Sequence, residues 1–281
     1  MFSLAKILVP IDFSERCLGA TRYVIPLVEH FQSELTLLHV FSPIEGFTLE
    51  VRTVNEARRE KAQKALDDFL CAALNHLNTR RLLREGDPAE IIVDQARRDR
   101  SDMIMMPTHG YGPFRRLLLG SVTAKVLHDA VCPVWTGVHL AEGPPVEWLT
   151  PKQVVCALDL GPASGAVLRW AHGRAAAFHS DLIILHAEPR LDSPGEEYFA
   201  HEWRRHLLTQ AAEADAQLQT REGTNAQVIL EPGDVADAAA RVVRKLSADL
   251  LVIGRGDSPD ARLGTHAYDI IRKSPCPVVS I

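Results

Sequence analysis

No apolar run in these 281 residues approaches the ~18 needed to cross a membrane. The opening Met1-Phe2-Ser3-Leu4-Ala5-Lys6 lacks a charged segment followed by a long apolar one, so the expected location is cytoplasmic. Cysteine is scarce. Cys17, Cys71, Cys132, Cys156 and Cys276 are odd in number and scattered, with no CxxC pair. That excludes a disulfide framework and the usual zinc and redox motifs, and the five read as reduced, mostly buried thiols. Positive charge is not in excess either: 31 Lys and Arg stand against 36 Asp and Glu, a formal net charge of −5. A dedicated nucleic-acid binder needs a strongly basic face, so nucleic acid is not an expected partner. There is no G-x4-G-K-S/T loop, which argues against a P-loop kinase or ATPase.

What is present is ordinary globular composition at twice the usual domain size, with 46% apolar and 24% charged residues. Two domains are expected, and an internal repeat supports that number. Ile7-Leu8-Val9-Pro10-Ile11-Asp12 aligns with Val154-Val155-Cys156-Ala157-Leu158-Asp159, an offset of 147 from residue 12 to residue 159. The same offset relates Leu37-Leu38-His39 to Ile184-Leu185-His186, Gly86-Asp87 to Gly233-Asp234, and Asp102-Met103-Ile104-Met105-Met106 to Asp249-Leu250-Leu251-Val252-Ile253. Val131-Cys132-Pro133-Val134 matches Pro275-Cys276-Pro277-Val278 at an offset of 144. Three residues are therefore missing from the second repeat between its fourth and fifth apolar runs. Domains over 1–140 and 151–281 follow, joined through Ala141-Glu142-Gly143-Pro144-Pro145.

Within the first repeat, short apolar runs near 6–10, 35–40, 81–84, 102–106 and 132–136 lack polar alternation, as strands covered on both faces do. Between them, Ser14 caps a helix to about residue 31, apolar positions recur at helical spacing over 54–77, Asp87-Pro88 opens a third helix, and 121–129 fits a fourth. Strands alternating with helices predict parallel pairing through right-handed crossovers, a doubly wound α/β sheet of five strands in each repeat.

The fourth run is followed by Pro107-Thr108-His109-Gly110, nine residues, and Gly120-Ser121 at a helix start. Together with Val9-Pro10-Ile11-Asp12-Phe13-Ser14, Leu37-Leu38-His39-Val40 and Val131-Cys132-Pro133-Val134, this resembles the universal stress protein family, over both halves of the chain. The resemblance implies Rossmann-like domains of the adenine nucleotide alpha hydrolase type, paired in one chain as an internal pseudo-dimer through their final strands, with further association into a homodimer left open. It also implies a stress-response role and a G-x2-G-x9-G-S/T loop that holds the ribose and phosphates of ATP. Carried over residue by residue, it gives Asp12 and the backbone of Val40 to the adenosine end, and Pro107, Gly110, Gly120 and Ser121 to the phosphate loop. The chemistry suits that pattern, because glycines permit close backbone approach and a helix start favours anions. Ligands in such sheets sit beyond the carboxyl ends of the strands where the winding reverses.

One position departs from the pattern. Pro107 stands where the family has its first glycine, and it brings ring bulk without an N–H. The second repeat keeps Asp159 and Gly254, but Arg255-Gly256-Asp257 puts an acid where Gly110 falls, and the loop before Gly264-Thr265 is shorter by about 10 Å of extended chain. It reads as a degenerate repeat kept for packing, with a smaller ligand such as AMP still open.

Other features have plainer readings. Arg115 and Arg116 read as a solvated loop face, His39 and His186 as structural core or loop histidines rather than a metal site, His109 as structural or ligand-lining, and Arg97-Arg98-Asp99-Arg100 as a helix end. His201-Glu202-Trp203-Arg204-Arg205-His206 misses HExxH by one residue and reads as a polar helix face. Trp135, Trp148, Trp170 and Trp203 read as buried contacts. No nucleophile and base pair stands out. The expectation is a nucleotide-controlled binding protein that takes ATP, with Mg²⁺ as a companion ion, and an unidentified protein partner. A nucleotide-free scaffold is the alternative, and slow ATP hydrolysis ranks last.

Overall fold

The structure is a computed structural model, and it describes residues 2–108, 119–137, 151–188, 197–256 and 265–281. The chain divides into two compact units, Ser3–Pro145 and Val146–Ile281 together with Met1–Phe2.

In the first unit β1 (Lys6–Pro10), β2 (Glu34–Phe41), β3 (Thr79–Glu85), β4 (Met103–Met106) and β5 (Val134–Thr136) lie in the order β3-β2-β1-β4-β5, with every pairing parallel. The winding reverses between β1 and β4. Ile7, Leu8, Val9, Leu35, Leu37, Leu38 and the four residues of β4 are all buried. These are the runs without polar alternation, and helices on both faces explain why they carry none.

Helix α1 (Glu15–Phe31) begins where Ser14 Oγ accepts from Cys17 N at 3.2 Å. Helix α4 (Pro88–Asp99) has Asp87 as N-cap, accepting from Glu90 N at 3.0 Å, and Pro88 in its first turn. Helix α5 (Ser121–Asp129) also falls where expected. The helix expected over 54–77 differs at both ends. Its place is taken by α2 (Leu49–Asp68), which starts early because Thr48 Oγ1 accepts from Val51 N, and by the single turn α3 (Cys71–Leu74). The break has a cause: Arg81 of β3 donates to the carbonyls of Leu66 (3.0 Å) and Phe69 (2.9 Å), satisfying the helix end, and Leu70 then turns at φ +48°. Neither Arg81 contact shows in the local pattern of 54–77.

The second unit repeats this order. Strands β6 (Gln153–Leu158), β7 (Asp181–Glu188), β8 (Gln227–Pro232), β9 (Leu250–Ile253) and β10 (Val278–Ser280) lie as β8-β7-β6-β9-β10, all parallel, with α6 (Ser164–Phe178), α7 (Glu197–Glu222), α8 (Val235–Leu246) and α9 (Thr265–Lys273) between them. Individual hydrogen bonds recur with the repeat. Asp102 Oδ2 accepts from Lys6 N at 2.9 Å, and Asp249 Oδ2 from Lys152 N at 2.7 Å. His39 Nδ1 lies 2.6 Å from Ile11 O, and His186 Nδ1 lies 2.9 Å from Leu158 O. A carbonyl only accepts, so each ring carries its proton on Nδ1. The two histidines join the first two strands of their sheets, the structural role expected of them.

Two buried charged side chains set the second unit apart. Arg174 stands where the 147 offset puts Leu27, and Asp215 of α7 is buried where the same offset gives exposed Asp68. Arg174 Nη1 and both Asp215 carboxylate oxygens are buried without a hydrogen-bond partner. The Arg174 guanidinium lies 3.6 Å from the Phe178 ring centroid, and burial pulls its pKa down to about 9. Burial pushes the Asp215 carboxyl up, against the opposing pull of His186.

All five cysteines are thiols, four of them buried. The Trp135 ring is buried in β5 against Tyr23 at 4.7 Å, and Trp170 of α6 packs edge-on to Phe2 at 5.4 Å. Trp148, the 141–145 linker, Arg115 and Arg116 lie outside the described residues, as does the side chain of Trp203. Among the described residues no helix is long and apolar enough to cross a membrane.

Candidate functional site

The carboxyl ends of β1 and β4 flank the reversal of winding in the first unit, and the segments leaving them carry the expected site residues. Beyond β1 the backbone turns sharply: Phe13 adopts φ +61°, and the Asp12 carboxylate accepts from Ser14 N (2.9 Å) and Ser14 Oγ (2.6 Å). The second unit copies that turn, with Leu160 at φ +61° and Asp159 Oδ1 accepting from Gly161 N and Ser164 Oγ, each at 2.9 Å. A left-handed bulky residue costs roughly 1–2 kcal/mol, so its retention at both copies marks a position the fold holds on purpose. The Phe13 ring packs on His39 at 4.6 Å and on Phe69 at 5.9 Å. Val40 lies next to last in β2, beside the chain leaving β1, where Ile11 N donates to Leu38 O at 2.8 Å.

Across the switch point, β4 leads into Pro107 and Thr108. Thr123 Oγ1 donates to the Pro107 carbonyl at 3.2 Å, and Gly120 N donates to Thr108 O at 3.0 Å. These two bonds bring Pro107, Thr108 and the start of α5 together and close the base of the intervening loop. Gly120 caps α5 without a side-chain hydrogen bond, and a helix start carries partial positive charge on its free N–H groups. Asp12, Val40, Pro107, Gly120 and Ser121 thus gather at one end of one sheet. Gly110 and His109 lie outside the described residues.

The bond network changes what two of these residues can offer. Pro107 has no N–H, and its carbonyl is engaged by Thr123; the Gly120 N–H is engaged by Thr108. Among the described residues, the first turn of α5 from Ser121 onward is what these two bonds leave for an anion. Thr123 is the residue sequence reasoning missed. A proline carbonyl that needs a donor gives no local signal, and the second repeat has Ala267 at the matching position. Beneath Asp12, the Cys17 thiol is pushed up to about 12 by burial and lies 3.7 Å from Pro10 O, which makes it an inert packing group.

The second unit holds a cavity of about 360 Å³ at the equivalent end of its sheet. Asp159, His186, Gly254, Arg255 and His266 are its principal polar and glycine lining. Small residues open it: Ala157 and Ala187 line it where the 147 offset gives Pro10 and Val40 in the first unit. The Arg255 guanidinium donates to Ser280 O at 3.1 Å, which fixes it against β10. Asp257 and Gly264 lie outside the described residues. Among the described residues no group of three or more His, Cys, Asp or Glu side chains could hold a metal ion.

Comparison with known proteins agrees with this architecture. The universal stress protein MJ0531 of Methanocaldococcus jannaschii is 34% identical over 136 residues, covering 46% of this chain and 79% of that protein. A universal stress protein of Mycolicibacterium smegmatis is 28% identical over 191 residues, 64% of this chain and 63% of that one. The crystal structure of a universal stress protein from Archaeoglobus fulgidus superposes with a TM-score of 0.72 at 20% identity, covering 99% of this chain and 98% of that one, a likeness of fold. The universal stress protein family profile matches residues 4–136 and again 151–281, and the chain belongs to that family, as a tandem member.

Proposed function

We propose that the domain over residues 1–140 binds ATP at the carboxyl end of its sheet, and that occupancy switches the surface the protein presents to a protein partner in a stress response. The observation that carries this reading is that Asp12 follows the carboxyl end of β1, Val40 lies at that of β2 and the start of α5 at Gly120-Ser121 follows β4, about the switch point of one sheet. In this assignment Asp12 and the Val40 backbone receive the adenosine end. Ser121 and the α5 first turn receive the phosphates, with Mg²⁺ as a companion ion, and Gly110 contributes from the loop between. Pro107 acts as a spacer whose carbonyl is tied back by Thr123, which keeps its ring bulk out of direct phosphate contact. The second domain, over 151–281, keeps the Asp159 turn and a cavity of about 360 Å³, within the usual size range for small-molecule sites, and takes a ligand of AMP size.

Switching requires that ATP bind two states of the loop with different affinity. Among the described residues of the site no nucleophile and base pair stands out, and Cys17 is buried and protonated, so slow hydrolysis stays the last-ranked reading. Location in the cytoplasm completes the proposal.

Mass spectrometry of small molecules released from the freshly purified, acid-denatured chain is a test. ATP near one per chain is expected, and it falls away in Gly120→Asp, which places a carboxylate at the α5 start. ATP recovered equally from both proteins would contradict the assignment. A second reading, a nucleotide-free scaffold, draws on the same Pro107 and Gly120 bonds, because they withdraw two backbone groups from any ligand. That reading expects no nucleotide from either protein.

A further inference from the structure

The segment joining β2 to α2 in the first unit, together with the first residue of α2, presents large apolar side chains to water. Residues 42–50 are all exposed, and within them Phe47 is 97%, Leu49 79% and Ile44 48% accessible. Single exposed apolar residues are common, but three large ones within six positions, one of them a phenylalanine almost wholly in solvent, call for an occupant.

The segment is also held in place. Both backbone groups of Ile44 are gripped by one side chain: its N–H donates to Asn55 Oδ1 and its carbonyl accepts from Asn55 Nδ2, each at 2.9 Å. Four residues on, Thr48 caps α2. Between these fixed points, directly before Phe47, Gly46 adopts φ +152°, which side-chain-bearing residues rarely adopt. The strap therefore has two anchors, a glycine pivot and an aromatic tip.

Its position selects the occupant. The strap leaves the carboxyl end of β2 directly after Val40 and Phe41, and its first residue is tied to the turn after β3 by Ser42 Oγ donating to Gly86 O at 3.4 Å. That is the end of the sheet where Asp12 and the start of α5 gather. The phosphates have α5 to receive them, while the flat apolar face of a base has no large apolar partner among the residues assigned to the site. A base presents a π face to an aromatic ring and is stabilised by stacking. We infer that residues 42–48 form a cover for the first-domain site and that Phe47 turns about Gly46 to stack on the base of the bound nucleotide. This rests on the reading of that site as an adenine-nucleotide site.

Phe47 touches little in the open form, so Phe47→Ala keeps the fold and Phe47→Trp keeps the ring. Titration of the intact chain with ATP, with tripolyphosphate as a competitor that carries phosphates and no base, separates the two ends of the ligand. Phe47→Ala is expected to bind ATP about tenfold more weakly, Phe47→Trp to match the parent chain, and tripolyphosphate to compete equally in all three. Undiminished ATP affinity in Phe47→Ala overturns the cover and leaves the site standing. No ATP binding by the parent chain removes site and cover together. Sedimentation of the same proteins addresses the other occupant: self-association lost in Phe47→Ala, with ATP affinity unchanged, assigns the cluster to an interface between copies and overturns the proposal.

Discussion

At the scale of single residues, the second unit carries a buried acid that its fold does not use. Asp215 is 1% exposed, with neither carboxylate oxygen hydrogen-bonded, whereas the 147 offset gives an exposed acid, Asp68, in the first unit. Desolvation raises its pKa, the proximity of His186 opposing, so the folded chain holds the proton more tightly than the unfolded one. The stability this group contributes is then fully present below the unfolded value near 3.8 and is lost as pH rises through the folded value. Asp215→Leu is expected to stabilise the chain at pH 7 by about 1–4 kcal/mol, with a smaller gain near pH 4; denaturant midpoints at the two pH values measure it. A destabilised variant at pH 7 would show that the carboxylate has a partner in solution. Asp12 and Asp159 were legible in the sequence because the repeat printed them twice beside apolar strand runs. Asp215 was not, because α7 is polar along its length and a buried position on it looks like any other. Thr123 was hidden for a similar reason: its role lies in a bond to Pro107, sixteen residues away.

At the scale of elements, strands and caps carried the sequence signal. Three of the first-unit helices, α1, α2 and α4, are placed by residues whose side chains close their starts or ends, and Asp87 is the clearest. It accepts from Glu90 N, a bond that lowers its pKa, with Lys125 adding to the effect. Its contribution is therefore present above the unfolded value and lost as pH falls through the folded one. Asp87→Ala is expected to cost about 1 kcal/mol at neutral pH, and the matching N-cap change Asp234→Ala a similar amount. Thermal or denaturant unfolding reads both, and no change in either would mean that the α4 and α8 starts are fixed by packing alone. The limit of sequence reading shows in α2. Its apolar periodicity is real, but Thr48 sets its start and the long-range reach of Arg81 sets its end, so the helix shifts five residues upstream of the periodic signal and breaks before 77. Periodicity reports which face is buried; termini depend on donors that come from other elements.

At the scale of the whole molecule, a repeat with one register over four landmarks meant two copies of one sheet, and the strand order in each unit is the doubly wound order the alternation predicted. The three-residue deletion was equally legible. The shortened loop reads as a unit kept for packing with a smaller ligand such as AMP still open, and the cavity lined by Ala157 and Ala187 is a feature that no spacing argument could show. The two units should therefore respond differently to one ligand. Under saturating ATP, amide hydrogen exchange is expected to slow over residues 37–48 and 119–124 and to stay unchanged over 184–187 and 265–270. Equal protection of both sets would assign ATP to both units. Binding without any change over the first set would remove the switch. The central claim itself is tested most directly by titration calorimetry of the intact chain with ATP and Mg²⁺, beside a folded Gly110→Asp, Gly120→Asp double variant. One saturable event per chain, abolished in the variant, is the result expected; heat of binding that survives the variant, or none at millimolar ATP, contradicts it.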